Sequence, residues 1–159
     1  MPKKSAGIVL YNNDLEQLRF FLVHPGGPFF KNKQLGWWTI PKGEPSLIED
    51  LQSTAIREFF EETGYQPHEP FIELEPIRQK GGKWVYAWAA HGVLQVADLV
   101  SNNFEIEWPP QSGKTTAFPE IDKAGWFSLD ESRIRILPEQ YPLLQQTFDI
   151  VTVQSRDYK

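Results

Sequence analysis

Three glutamates in the segment REFFEETG, residues 57–64, could act together in metal chemistry. At about 100° per residue on an α-helix, Glu58, Glu61 and Glu62 fall within an arc of about 100° and therefore share one face. Carboxylates at such short separations repel one another, so this face is either a solvated acidic patch or a cation-binding site. Carboxylate oxygens are the ligands that Mg²⁺ selects in proteins. The helix alone leaves both interpretations open.

The residues on both sides of these glutamates form a longer spaced pattern. Its fixed positions, in chain order, are Gly43, Glu49, Arg57, Glu58, Glu61, Glu62 and Gly64. The pattern resembles the Nudix box, in which the same residue types stand at the same spacing. Phe59 and Tyr65 depart mildly from it, since the family more often has aliphatic residues there. The order of strands and helices around the box also resembles the Nudix sandwich, so the likeness extends over most of the chain.

The resemblance implies an enzyme that cleaves a diphosphate bond attached to a nucleoside or another group, with Mg²⁺, or Mn²⁺ in its place, as cofactor. Transferred residue by residue, the metal ligands would be Glu58, Glu61, Glu62 and the carbonyl oxygen of Gly43. Arg57 would orient the neighbouring acids. Glu49 would either pair with a charge of the box or help to start the helix beside Asp50, and the sequence does not separate these two roles.

Nudix enzymes typically use one more glutamate, from a loop far downstream, as a metal ligand or general base. In several members it lies a few residues before a Trp that opens the last strand. Here Glu120 stands six residues before Trp126 and is the preferred candidate, with Glu107 second. The alternative for each is a solvated acid on a loop.

The tract from Trp38 to Gly43, WTIPKG, resembles the W-T-x-P-K-G tract of the diadenosine tetraphosphate hydrolase branch of the family. This resemblance favours dinucleoside polyphosphates as substrates. The alternatives are a housecleaning pyrophosphohydrolase of nucleoside triphosphates and a Nudix module that binds a nucleotide without cleaving it. Candidate substrate-binding residues are Lys42, Lys80, Lys83, Trp38 and His24. Each has a structural alternative: the lysines could be solubilising surface residues, Trp38 an aromatic side chain on a strand face, and His24 a histidine at a strand end whose hydrogen bonds are satisfied within the protein.

Composition narrows the class of partner. The chain has 159 residues, 21 acidic and 16 basic side chains and a net charge of -5, the wrong sign for gripping nucleic acid through its phosphates. It has no cysteine, which excludes disulfides and thiolate metal sites. Its first apolar run is too short for a signal peptide or a membrane span. We therefore expect one domain over residues 1–159, cytoplasmic, with a small-molecule nucleotide ligand and as a monomer or homodimer.

The elements that must position these residues follow from residue patterns. Branched and aromatic residues predict strands at 5–11 and 18–24, a short strand at 37–40, a hairpin of 71–80 with 83–93 and a last strand at 124–129. A buried stripe of Leu51, Ala55 and Phe59 predicts a helix over 51–63 that Gly64 ends. The tract 101–122 is polar and contains prolines, which predicts an irregular loop, and a terminal helix is expected to begin at Pro138.

Together these elements predict an α/β (α+β) fold, a Nudix-type α/β/α sandwich with a mixed β-sheet. Phe60 is expected to be buried beside Phe59 if a sheet covers each side of the helix.

Overall fold

The computed structural model describes residues 3–157, and side chains through residue 154. The strands are β1 Lys4–Asn12, β2 Arg19–Pro25, β3 Lys42–Gly43, β4 Ile72–Glu73, β5 Ile77–Arg78, β6 Trp84–His91, β7 Asn103–Glu107, β8 Thr115–Pro119 and β9 Ile121–Phe127. The α-helices are α1 Leu51–Thr63, α2 Leu129–Arg135 and α3 Tyr141–Asp157, and short 3-10 helices cover Val96–Asp98 and Pro138–Gln140. No helix in the described part of the chain is long and apolar enough to cross a membrane.

A mixed sheet forms the centre of the fold. Its main path runs β4-β6-β1-β2-β9, with β3 paired to β1 and β5 paired to β6. The β1–β6 pair is parallel, whereas β1–β2, β1–β3 and β2–β9 are antiparallel. The predicted mixed sheet is therefore confirmed.

Strand β1 is buried on both faces because a helix covers each side of the sheet. Ile8 and Leu10 point into a cluster with Phe59 of α1, whereas Val9 packs in a second cluster with Leu143 of α3. Continuous apolar runs are typical of strands enclosed on both faces. The predicted α/β/α sandwich is confirmed by this arrangement.

Helix α1 has the predicted bounds, and local chemistry explains both ends. The Asp50 side chain caps the N-terminus by accepting a hydrogen bond from the Ser53 N–H at 2.8 Å. At the other end Gly64 takes a left-handed conformation, with φ of 81°, and its N–H donates to the Phe60 carbonyl. Phe59 is fully buried, but Phe60 is 50% exposed. The expected burial of Phe60 is wrong because the sheet covers only one side of α1.

Glu49 combines the two roles that the sequence left open. Its carboxylate accepts hydrogen bonds from the Ser46 N–H and hydroxyl, each at 3.3 Å, and from the Thr54 hydroxyl at 2.8 Å. It also accepts two 2.8 Å hydrogen bonds from the guanidinium of Arg57. Glu49 therefore ties the loop before α1 to the helix and fixes Arg57 in place.

The expected irregular loop over 101–122 is wrong. Strands β7 and β8 pair there as a separate two-stranded antiparallel sheet, and β9 already begins at Ile121. Along both strands exposed residues alternate with half-buried ones, which include Phe104, Ile106 and Phe118. The tract has strand periodicity, but one face of the hairpin meets solvent and is polar, which conceals the pattern.

Smaller corrections concern strand ends. The predicted strand 37–40 makes only isolated bridges, from Trp38 to Ile136 and from Thr39 to Val23, and β3 follows it. The last strand ends at Phe127 because Ser128 caps α2 through a reciprocal pair of hydrogen bonds with Glu131. Helical structure begins at Pro138 as predicted, but its first turn is a 3-10 helix, and the α-helix α3 begins only at Tyr141.

Phe59 and its neighbour Phe60 offer a direct test of how α1 docks. We expect Phe59→Ala to lower the free energy of unfolding by about 3–5 kcal/mol, because a buried ring leaves a cavity. Phe60→Ala is expected to change it by roughly 0.5 kcal/mol or less, because half of that ring is already in solvent. Urea unfolding of both variants measures the difference. Equal losses would show that α1 is enclosed on both sides.

The Glu49 interactions predict a pH dependence of stability. Hydrogen bonds from Arg57 and then Thr54 lower the pKa of Glu49 from 4.5 to about 2. The unfolded chain therefore takes up this proton first as the pH falls, so the carboxylate stabilises the fold fully above pH 4.5 and loses its effect between pH 4.5 and 2. We expect wild type to melt above Glu49→Gln at neutral pH, with a gap that closes near pH 2.

The matched control is Glu16→Gln, which makes the same charge change on the exposed turn after β1. It is expected to melt with wild type at both pH values. A gap between wild type and Glu49→Gln that stays constant with pH would contradict the assigned role of the Glu49 carboxylate.

Candidate functional site

The site begins where β3 meets the C-terminal half of α1. Gly43 lies so close to Glu58 that a Cβ on Gly43 would stand 2.0 Å from the carboxyl carbon of Glu58. Any other residue would push the Glu58 side chain away or displace β3. The glycine therefore allows a main-chain segment and a carboxylate to share the same edge of the site.

Arg57 is the centre of the charge network on α1. One nitrogen, Nη1, donates to Glu58 Oε1 at 3.1 Å and to Glu61 Oε2 at 3.0 Å. Nη2 also donates to the main-chain carbonyl of Glu44 at 3.2 Å, and the pair with Glu49 completes the set. The guanidinium is a planar fork that can orient several carboxylates at once. Its pKa is raised further above its usual value, first by the hydrogen bonds to Glu49.

Glu62 is the most enclosed acid of the group. Its Oε2 atom is out of contact with solvent and has no hydrogen-bond partner among the described residues. Burial, and next the charges of Glu58 and Glu120, raise the pKa of Glu62 to about 8. Burial is also the main cause that raises the pKa of Glu58. An enclosed carboxylate oxygen without a partner is costly, and a cation is the kind of partner that would satisfy it.

Glu120 lies close enough to the box acids for its charge to interact with those of Glu61 and Glu62. It lies between β8 and β9, where its N–H donates to the Asn102 carbonyl and its carbonyl accepts from Gly26 N–H, each at 2.8 Å. Desolvation, and next the charge of Glu61, raise the pKa of the Glu120 carboxyl. The second candidate, Glu107, accepts a hydrogen bond from the Gln111 N–H in the connection between β7 and β8. The fold thus brings Glu120 to the acids of α1.

These residues fit a hard divalent cation by their chemistry. The donors that the site offers are carboxylate and main-chain oxygens, the set that Mg²⁺ takes, and the enclosed Glu62 oxygen is available to one. Among residues 3–157 no three acids or histidines are yet grouped at metal-binding geometry. Glu58 and Glu61 instead face Arg57, which holds them as ion pairs.

Two predicted lysines border this acidic cluster. Lys42 is half-buried on β3. Burial and then the charge of Lys83 lower its pKa, and the charge of Glu62 is the largest of the influences that raise it. Lys83 follows the glycine turn before β6, and its ammonium lies 3.2 Å from Glu44 Oε1. Lys80 is exposed at the same turn. Lys42 and Lys83 therefore form a cationic edge beside the acids, and Lys80 stands further out.

The predicted substrate contacts of His24 and Trp38 are not supported, because both side chains are buried. His24 is fully buried: Nδ1 lies 2.7 Å from Asp122 Oδ1, and Nε2 is hydrogen-bonded to the Lys33 carbonyl. Trp38 is 7% exposed, and its ring meets that of Phe127 edge-on. His24 instead ties the loop after β2 to β9, and Trp38 packs against His24 and Phe127.

An aromatic pair at the end of the β7–β8 hairpin that is remote from Glu120 was missed from the sequence. Phe29, in the loop after β2, meets Trp108 edge-to-face with 5.6 Å between ring centroids. Trp108 directly follows β7. The alternation of apolar and acidic residues in FEIEW is typical of a strand, and its recognition would have indicated on which face the Trp108 ring lies.

Comparison with known proteins agrees with this geometry. The profile of the NUDIX domain family matches residues 1–147. Similar solved structures include a binary complex of an Ap4A hydrolase from C. elegans, with 22% identity, 93% of this chain and 98% of that chain covered, and a TM-score of 0.63. The NUDIX domain of NrtR from Shewanella oneidensis, complexed with ADP ribose, has 19% identity, 95% and 89% coverage and a TM-score of 0.66.

A NUDIX hydrolase from Nitrosomonas europaea is similar at 19% identity, with 97% of this chain and 90% of that chain covered and a TM-score of 0.60. At these identities the structures show a shared fold. Because the family profile matches most of its length, the chain belongs to the NUDIX domain family and is a Nudix hydrolase of the pyrophosphohydrolase type.

Proposed function

We propose that this Nudix hydrolase uses Mg²⁺, or Mn²⁺ in its place, to cleave a diphosphate bond in nucleotide polyphosphates, with dinucleoside polyphosphates such as diadenosine tetraphosphate as its main substrates. The observation that carries the proposal is the enclosed Oε2 atom of Glu62, which has no hydrogen-bond partner among the described residues; this acid is flanked by Glu58 and Glu120 and bordered by Lys42. Acids that hold cations, beside lysines that attract phosphates, suit a polyanionic substrate.

Each side chain has a distinct part in this proposal. Glu58, Glu61, Glu62 and the Gly43 carbonyl would hold Mg²⁺, which when bound neutralises phosphate charge and acidifies the attacking water. Arg57 orients Glu58 and Glu61 through its two 3.0–3.1 Å contacts. Lys42 and Lys83 bind phosphate oxygens from the opposite edge.

Glu120 is the candidate general base for the attacking water. Its raised pKa increases the basicity of its carboxylate toward water, and it stands on a different element from the other acids, so it approaches the substrate from another direction. The proton of the water passes to Glu120 as the water oxygen bonds to phosphorus and the bridging oxygen leaves with its electron pair.

The preference for a dinucleoside polyphosphate is supported by the tract from Trp38 to Gly43, which places Lys42 beside the acids. The fold shared with the C. elegans Ap4A hydrolase is consistent with it. A nucleoside triphosphate pyrophosphohydrolase would use the same acids, so the products must separate the two activities.

The box glutamates are tested by replacement with glutamine, which keeps the shape but removes the charge. We expect Glu61→Gln and Glu62→Gln each to lower kcat for Mg²⁺-dependent hydrolysis of diadenosine tetraphosphate by about 100-fold or more, because the phosphate charge is then less well neutralised. Circular dichroism checks that the variants are folded. Full activity in either variant would refute the proposed metal role.

The products of the wild-type reaction decide the substrate class. In water labelled with heavy oxygen, we expect mononucleotides from diadenosine tetraphosphate, with the label on one of them. Faster release of pyrophosphate from nucleoside triphosphates would favour the housecleaning activity instead. Tight Mg²⁺-dependent binding of the whole panel without turnover would favour a binding module.

The general base is tested by a pair of matched variants on the same segment. We expect Glu120→Gln to lower kcat by about 10²–10⁴-fold, because the attacking water loses its proton acceptor. Glu107→Gln makes the same change at the far end of the β7–β8 hairpin and is expected to keep kcat within about twofold of wild type. The reverse order of effects would assign the role to Glu107.

A further inference from the structure

One buried amide connects the two segments that present the candidate phosphate-binding lysines. Gln140, in the 3-10 helix before α3, is fully buried. Its Oε1 accepts a hydrogen bond from the Ile40 N–H at 3.0 Å, and its Nε2 donates to Gln79 Oε1 at 2.9 Å. Ile40 lies two residues before Lys42, and Gln79 begins the turn that ends at Lys83. A buried amide with both ends engaged fixes the separation of its two partners.

Gln79 is also the residue that closes the turn before β6. Its N–H donates to the Lys83 carbonyl at 2.8 Å, and its carbonyl accepts a hydrogen bond from the Gly82 N–H at 3.0 Å. The turn follows β5, a strand of only two residues that pairs with β6. The main chain at Lys83 is therefore joined directly to the residue that Gln140 holds.

The tract on both sides of Ile40 is held by the sheet. Before it, Thr39 exchanges two 2.9 Å hydrogen bonds with Val23 of β2. After it, Lys42 pairs with Gly7 of β1. Ile40 lies between these contacts and directs its N–H to the buried amide instead. The sheet thus fixes this tract, and the amide fixes the turn before β6 relative to it.

A second link joins the same two segments at the surface. The Lys83 ammonium lies 3.2 Å from Oε1 of Glu44, which directly follows β3 and whose side chain is 54% exposed. Exposed ion pairs contribute little to stability, and a phosphate that binds Lys83 would compete with Glu44 for the ammonium. The buried amide still connects the two segments when phosphate replaces Glu44.

The two lysines are close enough for their charges to interact. Burial, and next the charge of Lys83, lower the pKa of Lys42. Two cations that repel would move apart unless the main chain holds them, and the successive phosphates of a polyanion are a ligand that can bind both. The contacts that set the spacing of the lysines therefore contribute to affinity for a phosphate chain.

We propose that Gln140 is a positioning residue for phosphate binding, because it holds the turn of Lys83 at a fixed distance from the tract of Lys42. This inference rests on the proposed function, which assigns phosphate oxygens to the two lysines. Gln140 has no part in the chemical step, since the acids of α1 are held by the separate contacts of Arg57. Loss of its amide therefore weakens substrate binding and leaves kcat nearly unchanged.

The test measures affinity for a phosphate chain that has no base and is not cleaved. The probe is the tripolyphosphate analogue with methylene groups at both bridges, titrated calorimetrically in Mg²⁺ into wild type, Gln140→Met, Lys83→Met and the double variant. We expect Lys83→Met to weaken binding by about 10-fold or more and Gln140→Met by about 3- to 10-fold, because the ammonium is then lost or displaced. In the Lys83→Met background, Gln140→Met is expected to change affinity by less than about twofold, since it acts through the lysine.

Gln146→Met is the matched control, because the Gln146 amide makes two hydrogen bonds to the main chain of Glu75, at 2.7 and 3.1 Å, outside both lysine segments. It is expected to bind the analogue as wild type does. Gln79→Met breaks the same link from a half-buried position and is expected to match Gln140→Met. Gln79→Met therefore decides the proposal if Gln140→Met does not fold.

Wild-type affinity in Lys83→Met, in Gln79→Met or in folded Gln140→Met would overturn the positioning role. A loss in Gln140→Met that is undiminished in the Lys83→Met background would overturn it too, as would a fall in kcat for diadenosine tetraphosphate with KM unchanged. Failure of wild type to hydrolyse any phosphoanhydride would refute the proposed function by a separate measurement, while the affinities for the analogue would still decide the role of Gln140.

Discussion

Helix α1 presents several acids to one edge of the sheet, and the guanidinium of Arg57 makes that arrangement tolerable. Two like charges about 4 Å apart near a protein surface repel by about 4 kcal/mol, so the cluster cannot persist without compensation. Arg57 contacts Glu49, Glu58 and Glu61 together. Glu49 in turn binds the loop and the start of α1. The acids of α1 and the loop that precedes the helix are therefore positioned by one connected network.

Glu62 is the acid of this group for which no contact with the Arg57 guanidinium is seen among the described residues. Glu62 lies on the inner side of the cluster, where its enclosed oxygen has no hydrogen-bond partner among the described residues. Such a group is disfavoured in a site that serves stability alone, and it is expected where a cation is taken up. The cost of this carboxylate is offset elsewhere, by the burial of Phe59 and of the central strands.

Glu120 and the aromatic pair belong to a second unit, formed by the loop after β2 and the β7–β8 hairpin. Gly26 allows the main chains of the two segments to lie in contact. The buried His24 fixes the loop through its hydrogen bond to the Lys33 carbonyl. This unit places an acid on one side of the cluster and an exposed ring farther out.

The sequence by itself determined the bounds of α1, its end at Gly64 and the spacing of the box acids, because each depends on residues close together in the chain, whereas the sandwich was expected from the order of the elements and the family resemblance. The spacing of Leu51, Ala55 and Phe59 defines the buried stripe, and Asp50 and Gly64 end the helix at residues that need no distant partner. The family resemblance rests on the same local spacing. The identity of the acids was thus available before any fold was known.

Tertiary structure alone decided what depends on contacts between distant segments. The burial of His24 and Trp38, the exposure of Phe60 and the approach of Glu120 to Glu61 all depend on which segment covers which face. The hairpin in 101–122 was missed because its solvent-facing half is polar, so its apolar positions become meaningful only once the loop after β2 packs against them. Local residue patterns specify helices and strands. Which side chains are buried and which charges lie close together depends on how these helices and strands pack, and that cannot be inferred from individual residues.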